Sequence, residues 1–186
     1  MFFGKDRGKD KQTAGGTPQL NIMSDGSYSW SQPGSNGLNG WEGFCGQTAT
    51  ANLLTTFESD QFSPHDVSRA ADDWTPGSKP STLLRSIAAL SSDASQYEQS
   101  NSRDLSAATP HNPIVALLMW DDGGTYHYIS VIGVRGGNVI FNHWGLQDSL
   151  PEDEFMRRWG FQGGGLTSGL VSFLGGMDPY TSIRRK

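Results

Sequence analysis

The chain predicts an α+β fold, with helices in its first half and an antiparallel sheet in its second. Between residues 45 and 90 apolar side chains recur at helical spacing. From residue 114 onward, short apolar runs rich in β-branched residues alternate with glycine-rich turns. The 24 glycines and a charged fraction of only 18% suit a loop-rich mixed fold better than a helical bundle. A length of 186 residues fits one domain with room for a sizeable core.

Residues 1 to about 40 are polar and rich in Gly, Ser, Asn and Pro, and the expected organisation is a disordered segment over residues 1–27 ahead of a folded domain over residues 28–180. The first helix is expected to begin at Cys45, with Ala49, Leu53, Leu54 and Phe57 as its buried stripe. A second follows Ser63-Pro64, where Ser63 can cap and Pro64 can occupy the first turn. A third runs from Ser81 to Leu90, with Leu83, Leu84, Ile87 and Leu90 on one side. Ile114 to Trp120 is a continuous apolar run and reads as a strand covered on both faces. Asp121 to Gly124 is a turn, and Tyr128 to Val134 a second strand. Arg135-Gly136-Gly137-Asn138 is a hairpin signal that leads into a strand from Val139 to Asn142. Ser149-Leu150-Pro151-Glu152 has the spacing of a capping box opening a helix through Trp159. Leu170 to Leu174 is expected as a last strand, and residues 181–186, ending Arg184-Arg185-Lys186, as a flexible solvated tail.

Composition also excludes several function classes. The net charge of −5, with no basic cluster before that tail, argues against a nucleic-acid footprint. A single cysteine excludes an internal disulfide and the usual multi-cysteine zinc sites. The four histidines are scattered, without the i, i+4 spacing of a helical metal site, so no metal is expected. No stretch reaches the roughly 18 apolar residues of a membrane span. The segment Met1 to Arg7 lacks an apolar signal core, so synthesis in the cytoplasm without a signal peptide is expected.

Cys45 lies in Gly43-Phe44-Cys45-Gly46-Gln47-Thr48-Ala49 at the predicted helix start. A lone cysteine is most often a small buried hydrophobe. At a helix N-terminus, however, partial positive charge favours its thiolate, the nucleophilic form. The flanking Gly43 and Gly46 leave room for a substrate to approach the backbone. His127 opens the second strand and can serve as the partner base and acid. Such a histidine needs its other ring nitrogen held, and Asn142 can supply a side-chain oxygen for this. If Arg135 pairs with Asn138, Val131 pairs with Asn142, which puts Asn142 and His127 on one face of the sheet. They would still be about 13 Å apart along the strand, so a bend or bulge must close the gap. Asp148 lies nearer to direct opposition and is the alternative third residue.

Cys45 with its Gly-Gln-Thr-Ala sequel, His127 leading Tyr-Ile-Ser-Val-Ile-Gly, and Asn142-His143-Trp144-Gly145, in that order, resemble the papain-like cysteine peptidases. Around the nucleophile the chain is more similar to the bacterial peptidases that process bacteriocin precursors. The resemblance spans roughly residues 36–160. It implies a papain-like fold with helices packed on an antiparallel sheet, and peptide hydrolysis through a thioester on Cys45 without metal or organic cofactor. It implies that Asn142 orients His127 while Trp144 shields their contact. It further implies an oxyanion hole made of the Cys45 backbone N–H and Asn39, which stands where the family has a glutamine. Trp41 and Trp144 would flank the substrate cleft.

By the same analogy the chain is expected to be a bacterial toxin or effector acting on a protein target. A specialised secretion system would export it, and an immunity protein would cover the cleft at Trp41, Cys45, His127 and Trp144. A peptidoglycan amidase, a glutamine deamidase or acyl transferase, and a non-catalytic binding module are the rival readings.

Overall fold

The structure, a computed structural model, describes residues 17–31, 44–73, 77–120, 126–161 and 178–186. Among these the chain is a mixed α+β protein. A short hairpin, β1 (Leu20–Ile22) and β2 (Tyr28–Trp30), precedes three helices, α1 (Cys45–Phe57), α2 (Pro64–Ala71) and α3 (Pro80–Leu90). Then come β3 (Tyr97–Ser100), β4 (Ile114–Met119), β5 (Tyr126–Arg135), β6 (Asn138–His143), β7 (Leu146–Pro151), α4 (Glu152–Trp159) and β8 (Ser182–Arg185). The last six strands form one antiparallel sheet in the order β3-β8-β4-β5-β6-β7. No helix among the described residues is long and apolar enough to cross a membrane.

The sheet carries apolar packing on both faces. Leu53, Leu54, Val67, Leu83 and Ile87 of α1–α3 pack against Val115, Leu117, Met119, Tyr128 and Ile183. On the other face Phe155 and Trp159 of α4 cover Ala116, Leu118, Ile129, Val131 and Phe141. This two-sided cover explains why β4 reads as an unbroken apolar run rather than an alternating one. Helix α1 is buried along nearly its whole length, so its polar residues need partners. Asn52 donates to Ser130 Oγ and accepts from the Trp30 backbone N–H, joining α1 to β5 and β2.

Ser63 caps α2 in a reciprocal capping box with Asp66, and Pro64 occupies its first position. The capping box expected at Ser149 does not form. Ser149 belongs to β7, a strand absent from the sequence reading, and α4 starts at Glu152, where Pro151 in the capping position supplies no side-chain bond. Its first turn instead carries Glu152, Asp153 and Glu154, and its last turn Arg157 and Arg158, which complements the helix dipole.

Both chain ends require correction. Residues 17–27, inside the segment expected to be disordered, include β1, which pairs with β2. The expected flexible tail is β8, inserted between β3 and β4 with Ile183 wholly buried. Arg184 and Arg185 still reach polar partners from this strand. Arg184 donates to the carbonyls of Ser102 and Asp104, and Arg185 donates to Gln96 Oε1 and lies over the Phe57 ring. The expected turn over 121–124 and strand over 170–174 lie outside the described residues.

Because Ile183 faces both Gln99 and Val115 across its two ladders, Ile183→Ala should lower unfolding free energy by about 2–5 kcal/mol. Urea denaturation would measure it. An unchanged midpoint would mean that residues 182–185 contribute nothing to the sheet.

Candidate active site

Cys45 is the first residue of α1, where backbone N–H groups have no partner in the preceding turn. Gly46 has a packing reason to be glycine. A Cβ there would sit 3.2 Å from both the Tyr128 ring and Leu83, so this side of the segment packs on protein rather than standing open to a substrate. Gly43 lies outside the described residues, as do Asn39 and Trp41.

The registry of β5 against β6 governs what faces His127. The hairpin turn is as expected, with Arg135 opposite Asn138 and positive φ at Gly136 and Gly137, the signature of a type I′ turn. Between Val131 and Gly133, however, β5 contains a bulge. Val134 pairs with Val139 and Gly133 with Ile140, but Val131 then pairs with Phe141 and Ser130 with Asn142. One extra residue inverts the parity of everything beyond it. Asn142 therefore shares the face of Ser130, turned towards α1, and His143 shares the face of His127.

The side chains follow. Asn142 donates its amide to Ser27 Oγ (2.7 Å) and the Tyr28 carbonyl (3.0 Å), and its oxygen accepts from Gln147 Nε2 (3.2 Å). The expectation that Asn142 orients His127 is thus corrected, since its hydrogen bonds lock β6 to the β1–β2 hairpin. The group on His127 is His143, with Nε2 of the former 3.2 Å from Nδ1 of the latter. Asp148 does not reach His127 either. Its carboxylate lies 3.8 Å from the outer nitrogen of His143, at ion-pair rather than hydrogen-bond distance.

Two indoles enclose the histidine pair. Trp144 stacks on His143 with ring centroids 4.4 Å apart and lies 4.6 Å from the His127 ring. Trp120 packs edge-on to His127 at 4.7 Å. Trp144 and Gly145 both take positive φ in the two-residue turn between β6 and β7. That conformation is unfavourable for tryptophan, so the surroundings must hold it. Asn21 contributes by donating to the Gly145 carbonyl at 2.7 Å.

The β5–β6 ladder stops at Ser130–Asn142, leaving the start of β5 unpaired on that side. Through this opening Cys45, from one face, and His127 and His143, from the other, line one narrow cleft with Asn52, Asn142 and Trp144. Burial pushes the Cys45 thiol up, against the opposing effect of backbone N–H groups of Tyr128, Gly46 and Cys45 itself. This reverses the expected depression of the thiol. The helix start supplies favourable N–H groups, but burial outweighs them. Burial, with the charge of His143 added, drives His127 down to about 3. Burial also lowers His143, against the pull of Asp148. The thiol and both imidazoles are therefore neutral at neutral pH.

His143 and Trp120 were not anticipated, and the bend or bulge expected to bring Asn142 to His127 instead turns Asn142 to the other face. The signal for the bulge was present, because an isolated glycine inside a strand, here Gly133, marks such irregularities. Among the described residues no cluster of three or more His, Cys, Asp or Glu could hold a metal ion. No protein-family model matches the chain, and no curated protein matches it.

On acidification the unfolded chain binds protons at His127 before the folded one does. Stability should then fall as pH drops from 6.5 towards about 3. The slope from this group should approach about 1.4 kcal/mol per pH unit. Comparing wild type with His127→Asn between pH 5 and 6.5 isolates it from carboxylates such as Glu58, held at about 2. Equal slopes would mean that His127 is not desolvated. Separately, Asn142→Ala should cost about 1–3 kcal/mol by orphaning its partners. A thermal melt identical to wild type would show the β1–β2 hairpin to be held by other contacts.

Proposed function

We propose that the chain is a papain-like cysteine hydrolase that cleaves peptide bonds, with Cys45 as nucleophile and His127 as general base and acid. The observation that carries this reading is the shared cleft. A cysteine at the start of a buried helix and a histidine at the start of a strand line one space, in the chain order the resemblance requires.

With thiol and imidazole both neutral, proton transfer accompanies attack rather than preceding it. Cys45 Sγ adds to the substrate carbonyl while its proton passes to the free nitrogen of His127. In this reading the backbone N–H of Cys45 donates to the resulting oxyanion. His127 then returns the proton to the leaving amine as the C–N bond breaks, forming a thioester. Water, deprotonated by His127, adds to the thioester; the acid product leaves, and Cys45 regains its proton.

The toxin or effector role, with an immunity protein over the cleft, is proposed on the resemblance alone. Trp144, at 36% exposure beside the cleft, offers such an inhibitor an aromatic anchor.

A pool of fluorogenic peptidyl amides tests the chemistry. Cys45→Ala should abolish turnover, and His127→Ala should lower it by on the order of 10²–10⁴-fold. Turnover retained in Cys45→Ala would refute the cysteine mechanism. For the role, wild type and Cys45→Ala are expressed in bacterial cytoplasm and periplasm. Cysteine-dependent cytoplasmic toxicity is the expected result, whereas toxicity confined to the periplasm would favour a peptidoglycan amidase.

A further inference from the structure

We infer that His143, biased by Asp148, is the positioning residue that fixes the tautomer of His127, so that the cleft works through two histidines in series rather than a histidine and an amide. This rests on the cysteine-hydrolase reading for its catalytic meaning, but the pairing of the two rings stands on geometry alone.

The two imidazoles face each other through one nitrogen each, His127 Nε2 and His143 Nδ1, at 3.2 Å in a buried site. Exactly one proton can occupy that contact if both rings are neutral, so one ring must donate and the other accept. The remaining nitrogen of His143 faces the Asp148 carboxylate at 3.8 Å. A negative charge there favours the proton on Nε2 of His143, which leaves Nδ1 as the acceptor. His127 must then carry its proton on Nε2, and its Nδ1 keeps the lone pair with which to take the Cys45 proton. The chain of consequences runs in one direction, from the exposed carboxylate through two rings to the His127 nitrogen left free for the thiol that lines the same cleft.

A proton added to His143 reverses that direction. Both its nitrogens become donors, so His127 Nε2 must accept and the His127 proton moves to Nδ1, where it blocks general-base action. Protonation of His143 therefore switches the base off without touching it. The groups able to influence His143 electrostatically are His127 on β5, Asp148 on β7 and the Cys45 thiol across the cleft on α1. From α4, Arg158 binds the carbonyl of Trp120, the residue whose ring packs against His143. The stacked Trp144 and the tilted Trp120 hold the rings in place and contribute no titrating group.

Two measurements on the full chain test this. Imidazole ¹⁵N shifts near neutral pH should assign His143 and His127 both as Nε2–H tautomers, and Asp148→Ala should shift both towards a mixture. An Nδ1–H His143 in wild type would overturn the proposal. The rate of Cys45 alkylation by iodoacetamide, followed against pH, is the second readout. His143→Ala should slow it on the order of 10-fold or more, and His143→Asn or His143→Asp, which restore an acceptor, should recover most of the loss. Unchanged alkylation in His143→Ala, with His127→Ala slow, would overturn the proposal and leave the cysteine-hydrolase reading intact. Full peptidyl-amide turnover in Cys45→Ala would defeat that reading instead, and the ¹⁵N assignment would still decide the pairing. If His143→Ala does not fold, the wild-type and Asp148→Ala shifts decide it.

Discussion

The bulge between Val131 and Gly133 is the constraint on which the cleft depends. Without it, β5 and β6 would continue in the register their turn dictates, and Asn142 would stand on the face of His127. With it, Asn142 is turned towards α1, where Ser27, Tyr28 and Gln147 satisfy its amide, and His143 is delivered to His127. An inserted residue costs one ladder position and locally increases twist. In exchange the ladder between the two strands ends at Ser130–Asn142, and there a side chain from the helical face lines the same cleft as side chains from the opposite one.

Desolvation is the second organising effect. Cys45 and His127 are each more than nine-tenths buried, and Trp120 and Trp144 close over the imidazoles. In such surroundings an ion pair costs more to maintain than a neutral hydrogen-bonded pair unless it is well solvated by dipoles. The favourable N–H groups at the start of α1 are present but insufficient. A neutral thiol and a neutral imidazole lining one cleft follow from the balance of these effects.

Much of the fold was legible because local chemistry decided it. Ser63-Pro64 and the diglycine at 136–137 specify a helix start and a hairpin turn through rules that act over a few residues. The continuous apolar run in β4 likewise signals burial on both faces. What escaped was decided by distant contacts. β8 is short and basic, and only pairing with β3 and β4 makes it a strand. β7 is largely exposed and shows no apolar alternation. Cys45 and His127 line one cleft, as their motif order led one to expect, but the ring that faces His127 depended on a parity that the bulge beside Gly133 altered. His143 was hidden in plain view inside Asn142-His143-Trp144-Gly145, because resemblance drew the reading to its first residue.

The sheet order separates two kinds of pairing. β4 to β7 are joined as successive neighbours, each able to find its partner over a short stretch of chain, whereas β3 is held through β8 across more than eighty residues. The start of α1 likewise meets β5 from a distant part of the chain. Closing such separations is slow compared with forming hairpins. The histidine pair therefore belongs to segments that can organise early, while the thiol reaches it only when the long loops close. A partly assembled chain carries the thiol and the two imidazoles but not the cleft they line together, so the late closure of that cleft is a property of the topology itself.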